Sequence, residues 1–260
     1  MHRSYVEPDC WQGDAITLGP EEEHHLLDVL RARDGDVVEV FDGCGRMCRV
    51  TIELLTNRPD SNSSTQRTVL HAVDGSHRHV ERGLRITLVQ SILKHDRMDL
   101  VLEKATELGV SEIVPIVTEH VVVRIDHARR EERRQRWERI ALSAAKQCHC
   151  SHVPDIRPIG LLSEALQNAG AWDLFIVGSL ARDTRPLRET LEQATPVNHV
   201  CVLVGPEGDM TSNELQSAVH AGGVPVTLGS QVLRSETASI YMLSAIHYAL
   251  EVNTFSNPPA

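Results

Sequence analysis

Leu203-Val-Gly-Pro-Glu-Gly-Asp-Met210 and Leu228-Gly-Ser-Gln-Val-Leu-Arg-Ser-Glu-Thr237 are the stretches that decide the fold. Each follows a short apolar run of β type, Val200–Val204 before the first and Val224–Leu228 before the second, and each opens a helix. Strand ends that turn through glycine into a helix form a crevice at the carboxyl edge of an α/β sheet, where small ligands bind. Neither loop is a phosphate cradle. The chain holds no G-x-G-x-x-G and no G-x-x-x-x-G-K-[ST]. A ligand at these loops is therefore gripped by something other than a nucleotide fingerprint.

Working outward, strands and helices alternate from Leu84 onward. Strands are predicted at Leu84–Gln90, Glu112–Val117 and Trp172–Val177, and helices at Met98–Leu108, Arg129–Gln147, Leu161–Ala169, Leu187–Gln193 and Glu236–Glu251. Such alternation builds a mainly parallel sheet covered on both faces. The first eighty residues read as β instead. Asp36–Phe41 and Met47–Ile52 flank the turn pair Asp42-Gly43, Thr68–Val73 is a further strand, Glu21–Arg31 a short helix, and Asn57–Gln66 a polar loop. Turn residues between Gly75 and Gly83 mark a boundary. The expected organisation is an α/β chain with a small β-barrel or sheet module over residues 1–80 and a larger α/β domain over 81–260.

Composition is that of a water-soluble globular protein: 41% hydrophobic and 24% charged over 260 residues. The N-terminus lacks the apolar core of a secretory signal, and the apolar stretch Ile113–Val123 is interrupted by Glu119 and His120. The expectation is a cytoplasmic protein with no membrane span. A net charge of −10 excludes a nonspecific nucleic-acid binder, and 3% aromatic content leaves few platforms for stacking bases. Only residues 81–160 carry more Lys and Arg than Asp and Glu. They hold Arg124, Arg129, Arg130, Arg133, Arg134, Arg136 and Arg139, which read either as phosphate forks or as a solvated face laced with Glu131, Glu132 and Glu138. Cys148-His-Cys-Ser-His152 is dense in metal-ligand types, yet no second ligand pair accompanies it, so no metal is expected.

Two clusters at the loops carry chemistry. Thr211-Ser-Asn-Glu214 is a capping box that fixes a helix start beside Gly205–Gly208. In Arg234-Ser-Glu-Thr237, Ser235 or Thr237 can cap the final helix and Glu236 suits its dipole. Arg234 is the residue that capping leaves unexplained. A cation at the positive end of a helix calls for an external anion or an internal Glu partner.

The run Gly205-Pro-Glu-Gly-x-x-[ST]-x-x-Glu214, followed by Leu228-Gly-x-x-Val-Leu-Arg-x-Glu-Thr237, resembles the bacterial 16S ribosomal RNA uracil-N3 methyltransferase family of the SPOUT class. His24-His-Leu-Leu-x-Val-Leu-Arg31, Gly35-Asp36 and Phe41-Asp-Gly-x-Gly45 are similar to that family's N-terminal PUA-like barrel. Lys94-x-x-Arg-Met-Asp99, Lys104–Gly109, Gln147 and Val153-Pro154 match as well, so the resemblance covers nearly the whole chain.

The resemblance implies a trefoil-knotted C-terminal domain that works as a homodimer. It also implies methylation of N3 of a uridine in 16S ribosomal RNA of the 30S subunit, with S-adenosylmethionine as donor. By the same token Val204, Gly205, Gly208, Leu228, Gly229, Leu233 and Thr237 would bind the cofactor. Arg234 and Glu236 would be catalytic, and Arg31, Lys94 and Arg97 would contact RNA phosphates. Three positions depart from the family pattern: Asp209 replaces a glycine, Gln231 a basic residue and Cys150 an arginine. Asp209 and Cys150 bear on RNA affinity or rate rather than on fold. Two alternatives stay open: another RNA such as transfer RNA as substrate, or a noncatalytic RNA-binding or assembly protein on the same scaffold.

Overall fold

The computed structural model of the chain describes residues 1–12, 15–55, 68–94, 96–121, 129–194 and 196–250. The expected loop Asn57–Gln66, Arg124 and Glu251 lie outside them. The chain divides into two units: Met1–Arg82 with Ala145–Val153, and Gly83–Ala144 with Pro154 onward.

In the first unit the strands are β1 (Arg3–Tyr5), β2 (Trp11–Gln12), β3 (Ala15–Ile16), β4 (Val37–Phe41), β5 (Arg46–Leu54), β6 (Thr68–Ala72) and β7 (Arg78–His79). Alternation drives the expected hairpin. Val38 and Val40 of β4, and Cys48, Val50 and Ile52 of β5, point into one apolar cluster with Leu26 and Leu70. Asp42 fixes its turn, accepting from the amides of Cys44 at 2.8 Å and Arg46 at 3.0 Å. Gly45, at φ +106°, has no room for a side chain, because a Cβ would meet the Val80 carbonyl oxygen at 2.5 Å. The predicted helix is α1 (Pro20–His24), continued by a π-helical turn over His25–Val29 and ended by Arg31 at φ +56°.

The expected barrel needs correction. Among the described residues the strands pair along an open path, β1-β4-β5-β6-β3-β2, with β7 on β5 and no pairing between the two ends. Edge strands of two or three residues offer too few ladder bonds to close a barrel.

The second unit carries β8 (Arg85–Ser91), α2 (Asp96–Glu107), β9 (Glu112–Val117), α3 (Arg130–Gln147, whose last three residues fall in the first unit), β10 (Asp155–Ile156), β11 (Gly160–Leu161) and α4 (Leu162–Leu166). There follow β12 (Leu174–Gly178), β13 (Arg185–Pro186), α5 (Leu187–Glu192), β14 (His199–Val204), α6 (Ser212–His220), β15 (Val224–Thr227) and α7 (Ser235–Leu250). The strand order is β10-β9-β8-β14-β12-β15-β13, with β11 on β9, and every pairing among the described residues is parallel.

Helices cover both faces, which explains why β14 reads as an unbroken apolar run rather than an alternating one. Val200, Cys201, Val202 and Leu203 are all fully buried. Each such aliphatic side chain contributes about 1.5–3 kcal/mol of burial. On one face, Cys201 and Leu203 pack with Leu162, Ala165, Met210 and Ala218. On the other, α2 and α7 pack together over β14. β14, β12 and β15 are neighbours in this parallel sheet, so their carboxyl ends lie side by side.

Candidate active site

Three loops leave those carboxyl ends and enclose one cavity of about 270 Å³. Gly178 ends β12 and leads to Ser179 and Leu180, Val204 ends β14 and leads to Gly205, Pro206, Glu207 and Asp209, and Thr227 ends β15 and leads to Leu228, Gly229 and Gln231 through Arg234. Gly205 and Gly229, from the two stretches that open the sequence reading, both line it. So do Val204, Leu228, Leu233 and Arg234. Gly208 and Thr237 do not. Gly208 turns beneath His120, whose Nδ1 contacts the Gly208 and Asp209 carbonyls at 3.0 and 2.9 Å, and Thr237 is exposed in the first turn of α7.

Local chemistry explains the shape of each loop. The capping box forms as expected: Thr211 Oγ1 accepts from the Glu214 amide at 3.3 Å, and the Glu214 carboxylate accepts from the Thr211 amide at 2.8 Å. Asp209, the departure from the family glycine, sits at φ +60° and accepts from the Met210 amide at 2.8 Å through its own side chain. Asp tolerates the left-handed region through such local bonds, so the substitution preserves the turn. Ser235, expected as a cap, does something else. It is the first residue of α7, and its Oγ donates to the Gly205 carbonyl at 2.6 Å, joining the second loop to the first.

Arg234 holds the N-cap position, since its carbonyl accepts from the Ala238 amide at 2.8 Å. Its side chain is exposed and makes no hydrogen bond or ion pair among the described residues. The internal Glu partner imagined for Arg234 belongs to Arg97 instead. Arg97 Nη1 lies 3.3 Å from Glu207 Oε1, and its Nε lies 3.7 Å from Glu236 Oε1. Glu236 is 7% exposed, and its Oε2 is buried without a hydrogen-bond partner among the described residues. Lys94 stands just beyond β8 with its amide 3.5 Å from Glu207. Arg31 belongs to the first unit, where its side chain is exposed.

The arginines of α3 are largely engaged. Arg134 pairs with Glu131 and Glu138, and Arg136 forks onto Asp99. The laced-face reading thus accounts for these two. In the first unit Cys148 and Cys150 close the end of α3, and the Cys150 amide donates to the Ala145 carbonyl at 3.1 Å around His149 at φ +60°. The hydrogen bond from Cys148 lowers the Cys150 thiol to about 6, aided by the His152 amide and by Arg3 and Arg82 against the opposing effect of burial.

Residues 80–247 match the model of the RNA methyltransferase domain. The chain is 26% identical over 261 residues to the ribosomal RNA small subunit methyltransferase E of Bacillus subtilis, covering 97% of this chain and 98% of that one. Its counterpart from Buchnera aphidicola is 26% identical over 245 residues, covering 94% of this chain and 92% of that one. Among solved structures, the ribosomal RNA small subunit methyltransferase E of Neisseria gonorrhoeae, bound to S-adenosyl methionine, superposes with a TM-score of 0.80. It is 31% identical and covers 96% of this chain and 98% of that one. With its two glycine loops meeting at the rim of a parallel sheet and these relatives matched end to end, the chain belongs to the RNA methyltransferase family.

Proposed function

We propose that this enzyme transfers a methyl group from S-adenosylmethionine to N3 of a uridine in 16S ribosomal RNA. The single observation that carries the reading is the convergence of Gly205 and Gly229 on one cavity, with Arg234, which makes no hydrogen bond or ion pair among the described residues, on its wall. The cavity fits the donor. Val204, Leu228, Val232 and Leu233 offer apolar walls for an adenosyl group, exposed Gly229 leaves its backbone open to a ligand, and Arg234 brings positive charge to the wall. A Cβ at Gly229 would meet nothing within 4 Å, so the loop there is open rather than packed shut.

S-adenosylmethionine supplies a methyl group already activated on sulfonium. The protein's task is then alignment and management of the N3 proton. Arg234 stabilises the negative charge that develops on the uracil ring, acting from its exposed position on the cavity wall. Glu236 holds Arg97 in place, and its unpartnered Oε2 is a site able to take a proton.

The same reading extends to the rest of the chain. Residues 81–260 form the SPOUT methyltransferase domain with a knotted path, and residues 1–80 form a PUA-like RNA-binding module using Arg31. Lys94 and Arg97 contact phosphates near the cavity. The enzyme works as a homodimer in the cytoplasm, in support of ribosome biogenesis. Exposed Tyr241 and Tyr248 on α7, with Leu180 and Val232 exposed nearby in sequence to the cavity loops, support such pairing. Among the described residues, no helix is long and apolar enough to cross a membrane.

Incubating purified protein with 30S particles and S-adenosylmethionine, followed by nucleoside mass spectrometry, tests the proposal. Formation of 3-methyluridine in 16S RNA is expected. Methyl incorporation into transfer RNA alone would move the substrate, and no methylation together with no calorimetric binding of S-adenosylmethionine would favour an RNA-binding or assembly role.

A further inference from the structure

Gln90, the next-to-last residue of β8, is fully buried between apolar neighbours, an unfavourable place for a carboxamide unless every polar atom is satisfied. Its Nε2 donates to the Ser91 carbonyl at 2.9 Å and to Ser235 Oγ at 3.2 Å. Its Oε1 accepts from Ser239 Oγ. The carbonyl of Ser91 fixes which way the amide faces, because only the NH2 end can donate to it.

That orientation has a chemical consequence. A hydroxyl has one proton to give, and the Gln90 NH2 group, a donor only, occupies an acceptor site of Ser235 Oγ. The Ser235 proton is therefore left for the Gly205 carbonyl, 2.6 Å away. Ser239, fully buried one turn further along α7, closes the arrangement from below with a 3.0 Å contact to the Ser235 carbonyl. One residue of β8 thus dictates the bond that ties the loop after β14 to the start of α7.

We infer that Gln90 is a positioning residue for the methyl donor: through Ser235 it holds the two cavity loops in the register that binds the donor, without touching it. Gln90 is not part of the cavity lining, whereas Ser235 and Gly205 are. The inference rests on the reading of this cavity as the S-adenosylmethionine site.

Calorimetric titration of the full-length protein with S-adenosylmethionine tests it. Gln90→Leu and Ser235→Ala are each expected to raise Kd about tenfold, the scale of one lost buried hydrogen bond. The double variant should bind no worse than Ser235→Ala alone, because Gln90 acts only through that hydroxyl. A residue that merely supported the fold would instead give additive losses. Circular dichroism establishes folding, and Gln90→Met, which keeps the bulk of the side chain while removing its donors, takes the place of Gln90→Leu if that variant does not fold. Unchanged affinity in the folded variant, or losses that add in the double variant, would overturn the inference. A wild-type protein that binds no donor would overturn the reading of the cavity itself.

Discussion

Arg97 Nε in α2 lies 3.7 Å from Glu236 Oε1 in the first turn of α7, so the two helices over β14 are joined by charge at the cavity wall. Removing the cation leaves a nearly buried carboxylate without its counter-charge. Breaking a buried pair is costly, although the partial exposure of Arg97 softens the effect. Arg97→Ala should lose about 1–2 kcal/mol in denaturant unfolding. Glu236→Gln should unfold close to wild type while its kcat for methyl transfer falls about a hundredfold, the lower range for a lost proton acceptor.

Arg234 offers the opposite profile. It has no partner to strand among the described residues and occupies an exposed N-cap where a cation is unfavourable. Arg234→Ala is expected to melt at or slightly above the wild-type temperature, while kcat on 30S particles drops about 10²–10³-fold. Normal methylation by this variant would remove Arg234 from the chemistry.

Gly229 sits at φ +126° with open space around the position of a Cβ. An alanine there meets no atom, so any effect comes from the backbone alone. Such strain costs about 1–3 kcal/mol. Gly229→Ala should lower Tm by several degrees and weaken donor binding in calorimetry, and wild-type behaviour would show that this conformation is not required.

In the first unit, Cys150 governs a pH dependence. Its thiol titrates near 6 in the folded chain, below its usual range, so folding favours the thiolate. The stabilisation is complete above the unfolded thiol's ordinary pKa and is lost as pH falls through about 6. Stability measured from pH 9 down to pH 6 should decline through this group, and Cys150→Ser should flatten the decline. Iodoacetamide at neutral pH should alkylate Cys150 well before Cys201, whose thiol burial pushes far up.

Much of the site was legible in the sequence because its signals are local. The apolar run Val200–Val204, the glycines after it and the Thr211–Glu214 box all lie within fifteen residues, and each forms as read. What escaped is long-range. Gln90 meets Ser235 across 145 positions, and Arg97 meets Glu207 across 110, distances at which no periodicity speaks. Ser235 was legible as a helix-start hydroxyl but not as a clasp on Gly205. Strands of two residues, such as β10, β11 and β13, carry no alternation to detect. The open edge of the first unit follows from equally short strands, which apolar patterning alone cannot distinguish from a closing barrel.

A crystal structure of the protein grown with S-adenosylhomocysteine tests the central claim most directly. The adenosyl group should lie between the Gly205 and Gly229 loops, with its sulfur turned toward Arg234. Density for the ligand at any other place, or none at saturating concentration, would contradict the account.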